Sequence, residues 1–508
     1  MAFARRNVWE LGGDWAAPIL WYARGVKAMK ARPLKEPTSW GFYGAIHGID
    51  QALWRRLGYL SSKAKLPSKT AVRQYWKQCQ HGSWYFLPWH RGYLLAFEAV
   101  VRDAVVGLGG PRDWALPYWN YSKPNQDGLP PAFASANWPD GRGDNPLYVK
   151  QRYGPRNDGK VYVPARRINL RALADPDFTG VRGGSPGFGG INTGFSHGGE
   201  VHGALETQPH DAVHVLVGGG DGRKPSLMSD PDTAGLDPIF WLHHANIDRL
   251  WEVWRKNPPS HVDPSNAKWS RGPHSVGERA FMMPMPGGRH WTYTPGQMSN
   301  LAKLDYDYDD VSPPAGTPEP LARLRQLGAP AAAAETLARR SAMAGRKTVE
   351  LLGANKQSLR LTGPEAKDAV VLDSAVQQRL TASLRSAATA AAAPDRVFLN
   401  LENVRGLHNG TAFDVYINVP EGADPAQYPD NLAGTIGLFG VRKATVADDK
   451  HAGTGLTFVL EITHIIDALH LSGALNAGQL HVRLVPVRPV PEAAKISIGR
   501  ISVYRQSG

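Results

Sequence analysis

Cysteine is all but missing: the 508 residues contain one, Cys79. No disulfide can form within the chain, so its stability must come from packing. Long apolar runs are also missing. No stretch approaches the roughly 18 residues that a transmembrane helix needs. Met1 to Trp15 has no apolar segment of the kind that marks a secretory signal, and Arg5-Arg6 is followed by Asn7, Glu10 and Asp14. The expectation is a cytoplasmic protein with no membrane partner. Acidic residues are in deficit, 45 against 58 Lys and Arg, which leaves a net charge of +13. An excess of this sign would suit nucleic acid if it were concentrated. The basic residues are instead scattered, clustering only as pairs such as Arg5-Arg6, Arg55-Arg56 and Arg339-Arg340. No nucleic-acid partner is expected. With 42% hydrophobic and 20% charged residues, the composition excludes a disordered, collagen-like or coiled-coil chain.

The length allows about three domains, and the composition divides the chain unevenly. All 16 tryptophans lie in residues 1–310. Four stretches there have helical periodicity. The first runs from Trp40 to Leu60, with Phe42, Ile46, Ile49, Leu53 and Leu57 on one face. The second starts at Pro88 and continues through Leu94, Phe97, Val101 and Val105 to Gly107. The third, His210 to Val217, is stopped by Gly218-Gly219-Gly220. The fourth extends from Asp237 to Trp254, with Asp237 as N-cap and Pro238 in the first turn. Residues 120–205 read as long loops, which in a compact domain are usually functional. Residues 311–394 turn rich in Ala, Pro and Arg and read as a linker with one or two solvated helices. From residue 395 the period becomes two, as in Val397-Leu399-Leu401, Phe413-Val415-Ile417 and Phe458-Leu460-Ile462. The predicted architecture is a mainly α domain over 1–310, built as a four-helix bundle with long loops. A linker over 311–394 and an all-β, sandwich-like domain over 395–508 follow.

Histidine carries the chemistry. His210 and His214 are one helical turn apart, so both imidazoles can reach one metal ion. No glutamate stands between them in the zinc-protease pattern. His90 falls in the first turn of the second helix, His81 in the loop entering it, and His47 within the first helix. His243 and His244 are neighbours on the fourth helix, where adjacent side chains point about 100° apart, so one of them can share a site with His210 and His214. These residues sum to two sets of three. Three imidazoles per ion leave coordination positions open, the mark of a reactive centre. All-imidazole ligation suits Zn, Cu, Fe or Ni, and four helices can hold two metals about 3.5–4 Å apart.

Two longer motifs are specific. His81-x4-Phe86-Leu87-Pro88-Trp89-His90-Arg91-x2-Leu94-x3-Glu98 resembles the CuA signature of the tyrosinase and polyphenol oxidase family. Asp237-Pro238-Ile239-Phe240-Trp241-Leu242-His243-His244-x3-Asp248 resembles its CuB signature. Tyr306-Asp307-Tyr308 is similar to the tyrosine motif that closes the central domain of polyphenol oxidases, and Phe413-Asp414-Val415-Tyr416 to a part of their C-terminal domain. The whole is similar to a long bacterial tyrosinase with a C-terminal domain that shields the site. The resemblance implies two copper ions, CuA on His47, His81 and His90 and CuB on His210, His214 and His244. It makes His243 a neighbour rather than a ligand. It also implies O2 as co-substrate, small phenols as substrates, ortho-hydroxylation of monophenols and oxidation of o-diphenols to o-quinones. A catechol or o-aminophenol oxidase with little monophenolase activity is the alternative, and a hemocyanin-like O2 carrier uses the same six ligands. Self-association is left open.

The resemblance extends to residues around the metals. Cys79, two before His81, is implied to carry a thioether to that histidine. Glu206, four before His210, is implied to hold the water that helps deprotonate a phenol. Asp211 stands where many tyrosinases have Asn, and could share that base function. Val215 to Leu236 contains no aromatic residue, which suggests an open mouth unless Leu438 or Phe439 of the C-terminal domain plugs it. Arg91, Asp248 and Arg249 are expected to be structural ion-pair partners. His197, His202 and the remaining histidines have no motif spacing and are expected to be solvated or core residues.

Overall fold

The computed structural model describes residues 3–256, 261–314, 347–388, 394–447 and 452–507. The N-terminal domain is organised by α1 (Ala17–Ala31), α2 (Trp40–His47), α3 (Phe86–Gly107), α4 (Ala212–Gly218) and α5 (Pro238–Lys256). The first periodic stretch is interrupted. α2 ends at His47 because Gly48 turns to extended backbone (φ −167°, ψ 158°), and a second short helix starts at Gln51 with Asp50 capping Leu53. α3 and α5 form as their apolar spacing predicts and bury nearly their whole surface. The Asp237 carboxylate accepts from Ile239 N–H at 3.0 Å, capping α5. Phe97 of α3 stacks on Trp241 of α5, centroids 3.4 Å apart. Burying one such side chain is worth about 1.5–3 kcal/mol.

Three carboxylates and two arginines tie the helices together inside this core. Arg91 on α3 meets Asp248 at 2.5 Å and Glu252 at 2.7 Å, while Arg5 meets Glu98 at 2.6 Å and Asp248 at 3.2 Å. Arg5 reaches the core from strand β1 (Phe3–Arg5), which pairs in parallel with β2 (Tyr306–Tyr308). The Tyr306 and Tyr308 hydroxyls donate to the same Asp248 carboxylate at 2.6 and 2.5 Å. The tyrosine motif therefore fastens the end of the domain onto the helix that carries His244. Arg249 bonds the Asp310 carbonyl and lies 3.6 Å from its carboxylate, a structural pairing as expected.

The C-terminal domain is antiparallel β. Its strands are β3 (Val349–Ala354), β4 (Ala366–Leu372), β5 (Arg396–Val404), β6 (Ala412–Ile417), β7 (Leu432–Gly437), β8 (Leu456–Glu461), β9 (Gln479–Pro486) and β10 (Arg500–Gln506). They form one eight-stranded sheet in the order β7-β6-β9-β4-β3-β10-β5-β8. The sheet curves until its edge strands β7 and β8 approach one another, nearly closing a barrel. α6 (Ser374–Ala388) and α8 (Thr463–Leu471) accompany it, with a short α7 (Val441–Thr445) after the β7 edge.

The predicted linker needs correction. Residues 349–354 and 366–372 are interior strands of the sheet, and α6 buries Val376, Leu380 and Leu384 in its core. The C-terminal domain therefore begins near residue 347. Residues 315–346 and 389–393, with most of the alanine-rich segments, lie outside the described residues. Among the described residues, no helix is long and apolar enough to cross a membrane.

Candidate metal centre

The six histidines singled out by sequence converge on one buried basin. His47 is the last residue of α2 rather than a mid-helix position. His81 sits in a loop held by two backbone hydrogen bonds, His81 N–H to Ser196 (3.1 Å) and Gly199 N–H to His81 (2.8 Å). His90 belongs to the first turns of α3. His210 precedes α4 in a turn from Glu206 to Asp211 that is kinked at Gln208, and His214 and His244 come from α4 and α5. All six are at most 4% exposed.

For five of the six, orientation follows from what holds the other ring nitrogen, while Nδ1 of His244 has no hydrogen-bond partner among the described residues. Nδ1 of His47, His90 and His214 donates to the carbonyls of Pro231, Phe86 and Met228 at 2.7–2.8 Å. Nδ1 of His81 donates to Glu206 at 2.8 Å, and Nδ1 of His210 to Asp211 at 2.9 Å. A proton on Nδ1 leaves the Nε2 lone pair free, the arrangement by which proteins aim imidazole at a metal. Nε2 of His47 and His81 lie 3.4 Å apart, as do Nε2 of His214 and His244. Nε2 of His90 and His210 are buried with no hydrogen-bond partner among the described residues. The two trios abut: the His90 and His244 rings stack at 4.5 Å, and donor atoms of His47, His90 and His244 lie within 4.8 Å of one another. Burial, reinforced by neighbouring rings, holds His81, His90, His210, His214 and His244 well below the usual histidine range, and burial pushes His47 down to about 4. Neutral imidazole is the form that binds metal.

His243 is also buried, and burial pushes it down to about 3. Its ring lies 4.9 Å from that of His214, neither of its ring nitrogens has a hydrogen-bond partner among the described residues, and one of them falls within 4.8 Å of donor atoms of His210, His214 and His244.

The carboxylates are interior groups. Glu206 accepts from Gly82 N–H at 3.0–3.1 Å as well as from His81. Gly82 has φ +57°, and a Cβ there would meet the Gly199 backbone at 2.5 Å, so this contact requires glycine. Burial lifts the Glu206 and Asp211 carboxyls to about 7. Between them stands His202, which the sequence reading left among the ordinary histidines. Burial opposes its charge, but the Glu206 and Asp211 carboxylates outweigh that and raise it to about 9. No sequence signal marks it, since it lies in the loop just before the Glu206–Asp211 turn.

Cys79 is buried, with Sγ 3.1 Å from His197 Nδ1. It shares a 4.8 Å neighbourhood with donor atoms of His47 and His81. Burial pushes its thiol pKa up.

The open mouth expected from the aromatic-free stretch is not observed. Phe439, in the turn between β7 and α7, stacks on His214 with centroids 4.1 Å apart and planes 20° from parallel. It lies 5.6 and 5.7 Å from the His210 and His81 rings. Leu438 points into the C-terminal core instead. The cover seats by backbone contact, since a Cβ on Gly437 would meet the Asp211 carbonyl at 2.7 Å. Ion pairs surround it: Lys443 with Asp232 at 3.0 Å, Arg442 with Asp50 at 3.0 Å and Arg167 with Asp414 at 3.2 Å.

Comparison with known proteins agrees with this geometry. The family model for the common central domain of tyrosinase matches residues 37–257, and a model described as a domain of unknown function (DUF7868) matches residues 348–506. Tyrosinase HcTyr1 of Hahella sp. (strain CCB-MM4) is 32% identical over 520 residues, covering 99% of this chain and 99% of that protein. Catechol oxidase B of Solanum tuberosum is 32% identical over 203 residues, covering 37% of this chain and 33% of that one. Among solved structures, latent apple tyrosinase superposes with a TM-score of 0.59 at 20% identity, covering 100% of this chain and 98% of the other. The chain belongs to the tyrosinase and polyphenol oxidase family. Phenol oxidation at a dicopper centre that uses O2 follows from that membership, and the histidine basin has the donor set for it.

Proposed function

We propose that the protein is a tyrosinase, using O2 to hydroxylate monophenols at the ortho position and to oxidise o-diphenols to o-quinones. His47, His81 and His90 would hold one copper, and His210, His214 and His244 the other. The observation that carries this reading is the set of ring orientations, in which fixed Nδ1 protons leave Nε2 lone pairs aimed into one basin. Two copper ions held by neutral imidazoles supply the paired electron changes that O2 reduction and phenol oxidation require.

The chain's own groups do the rest. The basin is buried, and the Phe439 ring occupies the space over His214 that a phenol ring would take. Substrate entry therefore requires the C-terminal domain to move or be removed, consistent with the word latent in the description of the apple enzyme. Glu206 and Asp211 hold His81 and His210 and are near enough to accept a phenol proton through water. Cys79 is assigned a thioether to His81, which would appear as a crosslinked peptide two hydrogens lighter than its parts.

One observation favours the alternative, an o-diphenol oxidase with little monophenolase activity. Both Asp211 oxygens are already engaged, by His210 and His202, so this carboxylate is less available as a base. Oxygen uptake by the copper-loaded full chain, given a simple monophenol and a catechol in parallel cells, decides. Uptake on both establishes the tyrosinase, and uptake on catechol alone establishes the alternative. Silence on both, persisting after the C-terminal domain is cleaved away, would sink the enzyme reading.

A further inference from the structure

Three of the five Nδ1 partners in the basin are backbone carbonyls, fixed by the fold itself. The other two are side-chain carboxylates, and both stand against the same histidine. His202 Nδ1 lies 2.6 Å from Asp211 Oδ2 and 3.7 Å from Glu206 Oε1. Asp211 Oδ1 receives His210 Nδ1, and Glu206 Oε1 receives His81 Nδ1. A continuous path therefore runs His81–Glu206–His202–Asp211–His210, joining one candidate ligand of each trio through a residue that is in neither. All five are buried.

Two carboxylates this close, both buried, repel one another and lose hydration, a cost that a cation between them relieves. Among the described residues, His202 is the basic side chain that stands against both carboxylates at once, at 2.6 Å from Asp211 and 3.7 Å from Glu206. Without it, Asp211 would lose a hydrogen-bond donor and be free to turn away from His210, while Glu206 would lose the group that draws it toward Asp211 and be held by Gly82 N–H and His81.

We propose that His202 is a positioning residue that clasps Glu206 and Asp211 and, through them, sets the orientation of His81 and His210 together, so that the two metal positions fill as a coupled pair. This rests on the dicopper reading above. Direct partners of ligating histidines, here Glu206 and Asp211, change metal affinity by about 10- to 100-fold when removed, which sets the upper range for loss of the residue that holds both.

The test is a copper titration of the full-length apoprotein and of its His202→Phe and His202→Gln variants, followed by electron paramagnetic resonance of the Cu(II)-loaded forms. Wild type is expected to bind two copper ions per chain whose spins couple and give little signal. His202→Phe is expected to bind copper about 10- to 100-fold more weakly and to show the signal of isolated Cu(II). His202→Gln, which can still donate to Asp211 but carries no charge, is expected to fall between them. Wild-type affinity and a silent spectrum in His202→Phe would overturn the proposal. Circular dichroism of the apo forms checks the fold, and His202→Leu replaces the phenylalanine variant, with the same expectation, should the larger ring disturb it. Failure of the wild type itself to bind two copper ions would instead defeat the dicopper reading, and the two failures are separate in the same titration.

Discussion

The basin and its cover are held by different kinds of interaction. The basin is walled by buried charges and backbone hydrogen bonds. Arg5, Arg91 and Asp248 are almost wholly enclosed, and Asp248 alone serves two arginines and two tyrosines. The cover is fastened by pairs of graded exposure: Arg442 and Asp50 keep 45% and 28% of their side-chain surface, Lys443 and Asp232 18% and 13%, and Arg167 and Asp414 13% and 6%. Buried pairs are costly to break because a lone charge is stranded, whereas exposed pairs contribute little and weaken with salt. The difference leads to the expectation that the histidine geometry stays rigid under conditions that loosen the exposed pairs of the cover.

The strongest way to break the comparison is to strike the wall. Asp248→Asn should cost about 3–5 kcal/mol and lower the melting temperature by about 10 °C, read by calorimetry. Burial alone would raise the Asp248 carboxyl, but Arg91 and Arg5 outweigh it and hold it below the ordinary carboxylate range. A depressed carboxyl contributes stability that is complete above its unfolded value, about 3.9, and drains away as pH falls through its folded value. Wild type should therefore lose stability steeply below about pH 4, and the variant should show a shallower slope there.

Next comes the ligand pair. His244→Ala should bind one copper instead of two and lose phenol oxidation, while His243→Ala should keep both ions. Equal losses in the two variants would blur the line between basin and backing.

Removing the plug tests the cover. Phe439→Ala should raise kcat/KM on simple phenols about tenfold, by an amount that reports the closed fraction of the wild type. The smallest effect belongs to the rim. Arg442→Ala or Lys443→Ala should raise activity about two- to fivefold at low salt, and added salt should bring wild type toward the variants.

Legibility differed between these regions for physical reasons. α3 and α5 were readable because their apolar periods, Pro88 and the Asp237-Pro238 pair all agree with what forms. α1 was overlooked although Ile19, Tyr22, Val26 and Met29 carry helical spacing and are buried. β3 and β4 were hidden beside alanine- and proline-rich composition, since a strand inside a sheet takes its stability from neighbours distant in sequence. The sequence does not separate Phe439 from Leu438, because the partners of Phe439, His81, His210 and His214, lie more than 200 residues away and local pattern is blind to them. His202 left no motif at all. Its meaning comes from two carboxylates that surround it only after folding.

Gly437, where the cover seats, gives the molecule a gauge. Its α-carbon faces the Asp211 carbonyl with no room for a single added methyl group. Alanine and valine at this position would act as shims of increasing thickness between two otherwise unchanged surfaces. Such a series would convert closure from a condition that is either present or absent into a distance, and activity along it would show how far the cover has to lift before a ring of given width can enter.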